Sequence, residues 1–118
     1  GDFAPKQSDD KIAIHGLVIV PHKFEVTLNG ALIMFSVTEF SILYHLACQP
    51  GRVFSRQQII NDIKGTSYPV TERSIDVQIL SIRKKLAEAA GNPSAANMIE
   101  TVRGVGYRFA EELEQDGQ

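Results

Sequence analysis

With one cysteine, Cys48, in 118 residues, the chain has no partner for an internal disulfide and carries no mark of an oxidising compartment. It also lacks any apolar run near the ~20 residues of a membrane span, and no signal peptide is visible. The expectation is a cytosolic soluble domain with no membrane contact. Positive charge is scarce as well: 12 Lys and Arg against 14 Asp and Glu give a net charge of −2, which at first sight counts against nucleic acid. The distribution reverses that inference. Residues 1–10 carry −2 and residues 110–118 carry −4, so the body, residues 11–109, has eleven basic side chains against seven acidic ones. The acid is at the ends.

What is present is enough for one folded unit. A hydrophobic content of 43% supports a single core, expected over residues 11–110. Residues 1–10 read as a linker or an expression remnant, and residues 111–118 as an acidic, flexible tail.

From Lys11 to Phe35 the pattern is strand-like. Ile12 and Ile14 alternate, Leu17–Val20 is a short apolar run stopped by Pro21, and Phe24, Val26 and Leu28 alternate with polar residues. Asn29-Gly30 then supplies a two-residue type I′ hairpin turn into Ala31–Phe35, so a small antiparallel sheet is expected. Ser36-Val37-Thr38-Glu39 is a capping box opening a helix to about Cys48, with Phe40, Leu43, Tyr44 and Ala47 inward; Pro50-Gly51 ends it. Ser55-Arg56-Gln57-Gln58 repeats the box before a shorter helix carrying Ile59, Ile60 and Ile63.

The longest element is predicted over residues 72–90. Ile75, Ile79, Ile82 and Leu86 are spaced four, three and four apart, which stacks them into one buried stripe. At 100° per residue, the opposite side carries Arg73, Val77, Leu80, Ser81 and Lys84. Ser74, Gln78 and Lys85 lie on one flank of it, Asp76 and Arg83 on the other. Cations for phosphates, small polar groups for base edges and Val77 or Leu80 for thymine methyls suit a major groove. A solvated surface face is the competing reading.

After Gly91 come a polar stretch to Asn97, a strand at Met98–Val102 and a tight turn, Arg103-Gly104-Val105-Gly106, into Tyr107–Phe109. Both glycines are expected to serve that turn through positive φ. Three helices, the third amphipathic and cationic, followed by a hairpin with Arg103 at its tip make an α+β winged helix. An Arg there suits a minor groove while the helix occupies the major groove.

Ser36-x-x-Glu39-Phe40, Pro50-Gly51-Arg52-Val53-Phe54-Ser55-Arg56, Arg73-Ser74-Ile75-Asp76-Val77, Arg83-Lys84-Lys85-Leu86 and Thr101-Val102-Arg103-Gly104-Val105-Gly106-Tyr107-Arg108-Phe109 match, in order and spacing, a known family. The chain closely resembles the effector domains of OmpR/PhoB-type response regulators over roughly residues 11–110. That resemblance implies a four-stranded N-terminal sheet, three helices and a C-terminal wing in a winged helix-turn-helix. It also implies sequence-specific binding of double-stranded DNA in bacterial, cytoplasmic transcription regulation, with tandem protomers on direct repeats. Residue by residue, it makes Arg73 and Ser74 phosphate contacts and Val77 a contact to base methyls. Arg83 falls near backbone or base, with pairing to Asp76 as the alternative, and Thr101 and Arg103 become backbone and minor-groove contacts of the wing. The loop Gly65-Thr66-Ser67-Tyr68-Pro69-Val70 matches the segment such proteins are thought to present to RNA polymerase.

Four positions depart from the family pattern. Gln78 stands where a His is common and can donate to a phosphate or read an adenine edge. Leu80 and Ser81 stand where basic or polar residues are frequent, one often an Arg that reads bases, and Lys64 replaces a common Trp. The receiver domain that usually precedes such an effector does not fit in residues 1–10: either the chain is an excised effector, as the linker-like start favours, or the protein does without a receiver, and phosphorelay control would belong to a parent protein.

No enzymatic activity, cofactor or metal is expected. His45 and Cys48 stand three apart on the first helix, with Cys48 expected near its buried side, but no third ligand or orienting acid is spaced for them. His15 and His22 read as surface or turn residues. Gly104-x-Gly106 lies between strands, so it is no nucleotide loop. The alternative to DNA is a winged helix that docks on a protein through Val77 and Leu80.

Overall fold

A computed structural model describes residues 11–63 and 71–112. Four short strands come first: β1 (Ile12–Ile14), β2 (Leu17–Val20), β3 (Glu25–Leu28) and β4 (Ala31–Ile33), in antiparallel order β1-β2-β3-β4. Strand alternation sends Leu17, Ile19, Val26, Leu28 and Ile33 to one face, where all are buried. The register pairs Leu17 with Leu28, and Ile19 and Ile33 with Val26, so this face is one apolar layer. The Asn29-Gly30 turn forms as expected, with φ of 52° and 88°. His15-Gly16 makes the same kind of turn one hairpin earlier, at φ 56° and 83°, and the Asn29 amide donates to the Gly16 carbonyl at 2.8 Å. β4 stops at Ile33, two residues short of the run predicted to Phe35.

Three helices pack on that layer: α1 (Val37–Ala47), α2 (Arg56–Asp62) and α3 (Glu72–Ala90). Both capping boxes close, Ser36 with Glu39 and Ser55 with Gln58, each satisfying two amides at a helix start. α1 buries Phe40, Ile42, Leu43, Leu46 and Ala47, while Tyr44 is only half-buried. Cys48 is exposed, contrary to the expectation from its position, because it caps the end of α1 rather than continuing its buried stripe. α3 begins where Thr71 Oγ1 accepts from the Ser74 amide, and Gly91 closes it at φ 66°. Its four stripe residues, Ile75, Ile79, Ile82 and Leu86, are fully buried.

The polar stretch after α3 folds into a turn of 3₁₀ helix, Pro93–Met98, an element the sequence reading treats as irregular. β5 (Ile99–Val102) and β6 (Gly106–Phe109) then form the closing hairpin, with Ile99 opposite Phe109 and Thr101 opposite Tyr107. Phe54 adds a bridge to its outer edge: its amide donates to the Tyr107 carbonyl at 2.8 Å and its carbonyl accepts from the Tyr107 amide at 2.9 Å.

That bridge corrects the account of the two hairpin glycines. Gly104 has φ 79° and turns the chain, as expected. Gly106 is not in the left-handed region; it is glycine because the backbone of Phe54 and Ser55 presses against it. A Cβ there would lie 2.8 Å from the Phe54 carbonyl carbon and the Ser55 Cα, and closer still to the Phe54 oxygen.

Candidate nucleic-acid interface

Helix periodicity sorts the outward half of α3 into three strips, and each meets a different neighbour. The central strip is Arg73, Val77, Leu80 and Lys84, at steps of four, three and four. All four are exposed, Val77 by 57% and Leu80 by 63%. Both aliphatic side chains stand open between the two cations, and neither contributes to the core. Arg73 and Lys84 stand eleven residues apart, about 16 Å along the axis.

The first flank turns to the N-terminus of α1. Glu39, with its side chain only 6% exposed, is the hub. Its Oε1 accepts from the Ser36 amide at 2.8 Å and from Lys85 Nζ at 2.7 Å, and its Oε2 accepts from the Ser81 hydroxyl. Burial alone would raise the Glu39 pKa, but Lys85, Ser81 and the Ser36 amide together outweigh it and hold the carboxyl below its ordinary value. Lys85 also donates to the Met34 carbonyl at 3.1 Å and lies over the Phe35 ring. Ser81 therefore belongs to this flank and not to the outer face where its angular position put it. Ser74 and Gln78 lie half-buried on the same side.

The second flank turns to the hairpin. Asp76 Oδ1 accepts from Arg56 Nε at 2.7 Å and from the Tyr107 hydroxyl at 2.6 Å, joining α3 to α2 and to β6. Arg56, and then Tyr107, hold the Asp76 carboxyl below its usual range, while burial and that carboxylate push the Tyr107 phenol up. Arg83 donates through Nε and Nη2 to the Ile99 carbonyl at 3.1 and 2.9 Å, and through Nη2 to Thr101 Oγ1 at 2.7 Å. Its guanidinium lies 5.8 Å from the centre of the Tyr107 ring. Arg83 is therefore turned into the β5–β6 hairpin, and Asp76 pairs with Arg56 rather than with Arg83. The hydroxyl of Thr101 accepts from Arg83, which leaves its own proton to donate elsewhere. Across the hairpin Arg108 Nε meets Glu100 Oε1 at 2.6 Å.

At the hairpin turn, where the Val105 amide donates to the Val102 carbonyl at 2.9 Å, Arg103, Gly104 and Val105 are all exposed. The central strip of α3 and the Arg103 turn are thus both exposed and cationic. Side chains whose own polar groups are satisfied internally hold the hairpin to α3. Sequence reasoning missed the bracing of the hairpin by Arg56, Asp76 and Tyr107, and the bracing of α1 against α3 by Lys85 and Glu39. Only Glu39 had a signal, its place in a capping box, and even that gave no hint of its partners on α3.

His45 does not join Cys48 in any site; its Nε2 lies 3.0 Å from Asp62 Oδ2 and its ring tilts against Phe54. His15 sits in a turn, as expected, with Nε2 2.8 Å from the Ala110 carbonyl. Among the described residues no group of three or more His, Cys, Asp or Glu is placed to hold a metal ion, and no helix is long and apolar enough to cross a membrane. The expected polymerase loop, residues 65–70, Lys64, the linker at 1–10 and the tail from 113 onward lie outside the described residues.

Residues 30–109 match the family described as "Transcriptional regulatory protein, C terminal". The phosphate regulon transcriptional regulatory protein PhoB of Klebsiella pneumoniae is 36% identical over 108 residues, 92% of this chain and 45% of that protein. The response regulator ArlR of Staphylococcus aureus is 41% identical over 98 residues, 83% of this chain and 43% of that protein. The chain thus spans a little under half the length of these relatives. Among solved structures, the RstA DNA-binding domain of Klebsiella pneumoniae in complex with the RstA box superposes with a TM-score of 0.69 at 35% identity, covering 85% of this chain and 96% of that one.

Proposed function

The chain belongs to the OmpR/PhoB family of transcriptional regulatory proteins as their C-terminal, winged-helix effector domain, and from that membership we propose how it binds DNA. The function is sequence-specific recognition of double-stranded DNA in transcription regulation. In the proposed docking, α3 lies in the major groove and the Arg103 turn reaches the adjacent minor groove. The observation that carries this docking is the exposed row Arg73, Val77, Leu80 and Lys84 beside a hairpin held to the same helix by Arg83 and Asp76.

Each residue then has a role. Arg73 and Lys84, with Ser74 at the helix start, contact phosphates. Val77, Gln78 and Leu80 face base edges. Thr101 donates its free hydroxyl proton to a phosphate, and Arg103 enters the minor groove, where narrow A·T segments concentrate negative potential. Arg83 and Asp76 act as positioning residues, fixing the spacing between helix and wing, while Ser81 and Lys85 anchor the other side through Glu39. Tandem pairing on direct repeats, contact with RNA polymerase through residues 65–70, a receiver domain in a longer parent protein and a cytoplasmic location belong to the same reading. The receiver domain alone draws support from the relatives, which are about twice this length and one of which is named a response regulator. Docking on a protein through Val77 and Leu80 has no observation in its favour.

The roles are separable by mutation. Arg73→Ala is expected to weaken specific and random duplexes alike and to reduce the log–log salt slope by about 0.9, one phosphate's worth. Arg103→Ala is expected to weaken binding most where the flank is A·T-rich. Salt-series titrations on a specific and a random duplex check the first, and titrations on duplexes differing only in that flank check the second. A flank-independent loss for Arg103→Ala contradicts minor-groove insertion, and loss confined to one sequence for Arg73→Ala moves that residue to base reading.

A further inference from the structure

We infer that this domain reads its major groove through thymine methyl groups, with Leu80 as a specificity-determining residue beside Val77. The inference rests on the DNA-binding reading and gives it a base class. The exposed strip of α3 has cations only at its ends, Arg73 and Lys84. In the proposed docking these two, about 16 Å apart along the axis, meet phosphates. Between them stand Val77 and Leu80, the most exposed aliphatic side chains of the helix and without a hydrogen-bonding atom. Neither can address the oxygen or nitrogen edge of guanine; both can cover a C5-methyl.

The one hydroxyl that the periodicity places on this face is withdrawn. Ser81 donates its proton to Glu39 Oε2, within a carboxylate that also accepts from Lys85 and the Ser36 amide. Its oxygen can still accept, but guanine presents only acceptors in the major groove, so Ser81 has nothing to give it. Arg83 commits Nε and Nη2 to the Ile99 carbonyl and Thr101, so neither two-nitrogen fork of its guanidinium is open for a base. Bidentate guanine contact, the commonest specific contact to DNA, is therefore missing from the centre of the helix. Gln78, half-buried on the flank, has the donor–acceptor pair that matches adenine. Two methyl contacts and an adenine reader address the same class of site, consecutive A·T pairs.

Alternating poly(dA-dT) and poly(dA-dU) duplexes differ only in the C5-methyl, which lies in the major groove, so the wing contributes equally to both. Burying one methyl corresponds to about a fourfold change in affinity. At fixed salt, competition anisotropy is expected to show the domain preferring poly(dA-dT) by about fifteenfold. Leu80→Ala should reduce that preference to about fourfold, and its exposed site and helix-favouring replacement keep the fold intact. In the same assay, 5-methylation of the cytosines of poly(dG-dC) is expected to raise affinity. A ratio near one for the wild type, or a ratio that Leu80→Ala leaves unchanged, overturns the inference while DNA binding itself stands. Failure of every duplex to bind, a random-sequence duplex at low salt included, removes the DNA-binding reading and the inference with it.

Discussion

Gly106→Ala is expected to destabilise the domain by roughly 3 kcal/mol, on the order of a 15 °C fall in Tm by thermal unfolding. The added methyl has nowhere to go. It meets main chain, the Phe54 carbonyl and the Ser55 Cα, rather than the end of a flexible side chain. Relief requires parting the Phe54–Tyr107 bridge, which carries two backbone hydrogen bonds. Tyr107 would move with it and loosen the Asp76 contact that seats the hairpin on α3, so DNA affinity is expected to fall along with stability. Gly104→Ala supplies the contrast. That position has φ 79° with open space around it, so only backbone strain opposes a side chain, about 1–2 kcal/mol. If Gly104→Ala proves the more damaging of the two, the hairpin is set by its turn and not by its contact with Phe54.

Glu39→Ala carries the second large effect, a loss of roughly 2–4 kcal/mol in chemical denaturation. One carboxylate caps α1, receives Lys85 and receives Ser81, so its removal frees the start of α1 from α3. The pH dependence has a definite sign. The folded-state pKa of Glu39 is lowered: burial opposes the charge, but Lys85, Ser81 and the Ser36 amide outweigh it. Its contribution is therefore fully present above the ordinary carboxylate range, about pH 4–5, and is lost as pH falls through the depressed folded value. Glu39→Gln should flatten that acid branch of the stability curve and retain part of the cap. DNA affinity of the folded fraction is not expected to drop in either variant, because the change removes a negative charge and releases Lys85. An unchanged acid branch in Glu39→Gln would contradict the assignment.

These two residues also mark where the sequence was legible and where it was not. Periodicity and turn chemistry operate within a few residues, so the α3 stripe, the Asn29-Gly30 turn and both capping boxes could be read directly. The exposed row from Arg73 to Lys84 followed from the same 3.6-residue period. Contacts between distant segments leave no such trace. Glu39 and Ser81 are 42 residues apart, Arg56 and Asp76 are 20 apart, and Tyr107 and Asp76 are 31 apart. Nothing local says that Ser81 turns sideways to a buried carboxylate or that Arg83 turns into the hairpin. Gly106 is similar: a glycine two residues after another reads as turn chemistry, whereas its real constraint is a backbone more than fifty residues earlier in the chain.

Selection from a randomised duplex library, followed by salt titration of the recovered duplex against an unselected one, tests the DNA-binding account most directly. A direct repeat spaced near one helical turn, about 10–10.5 base pairs, is the predicted outcome. Its log affinity should fall linearly with log salt, by about 0.9 per phosphate neutralised, and it should bind more tightly than the unselected duplex at every salt concentration. Binding that is indifferent to salt, or equal for the two duplexes throughout, would contradict the account.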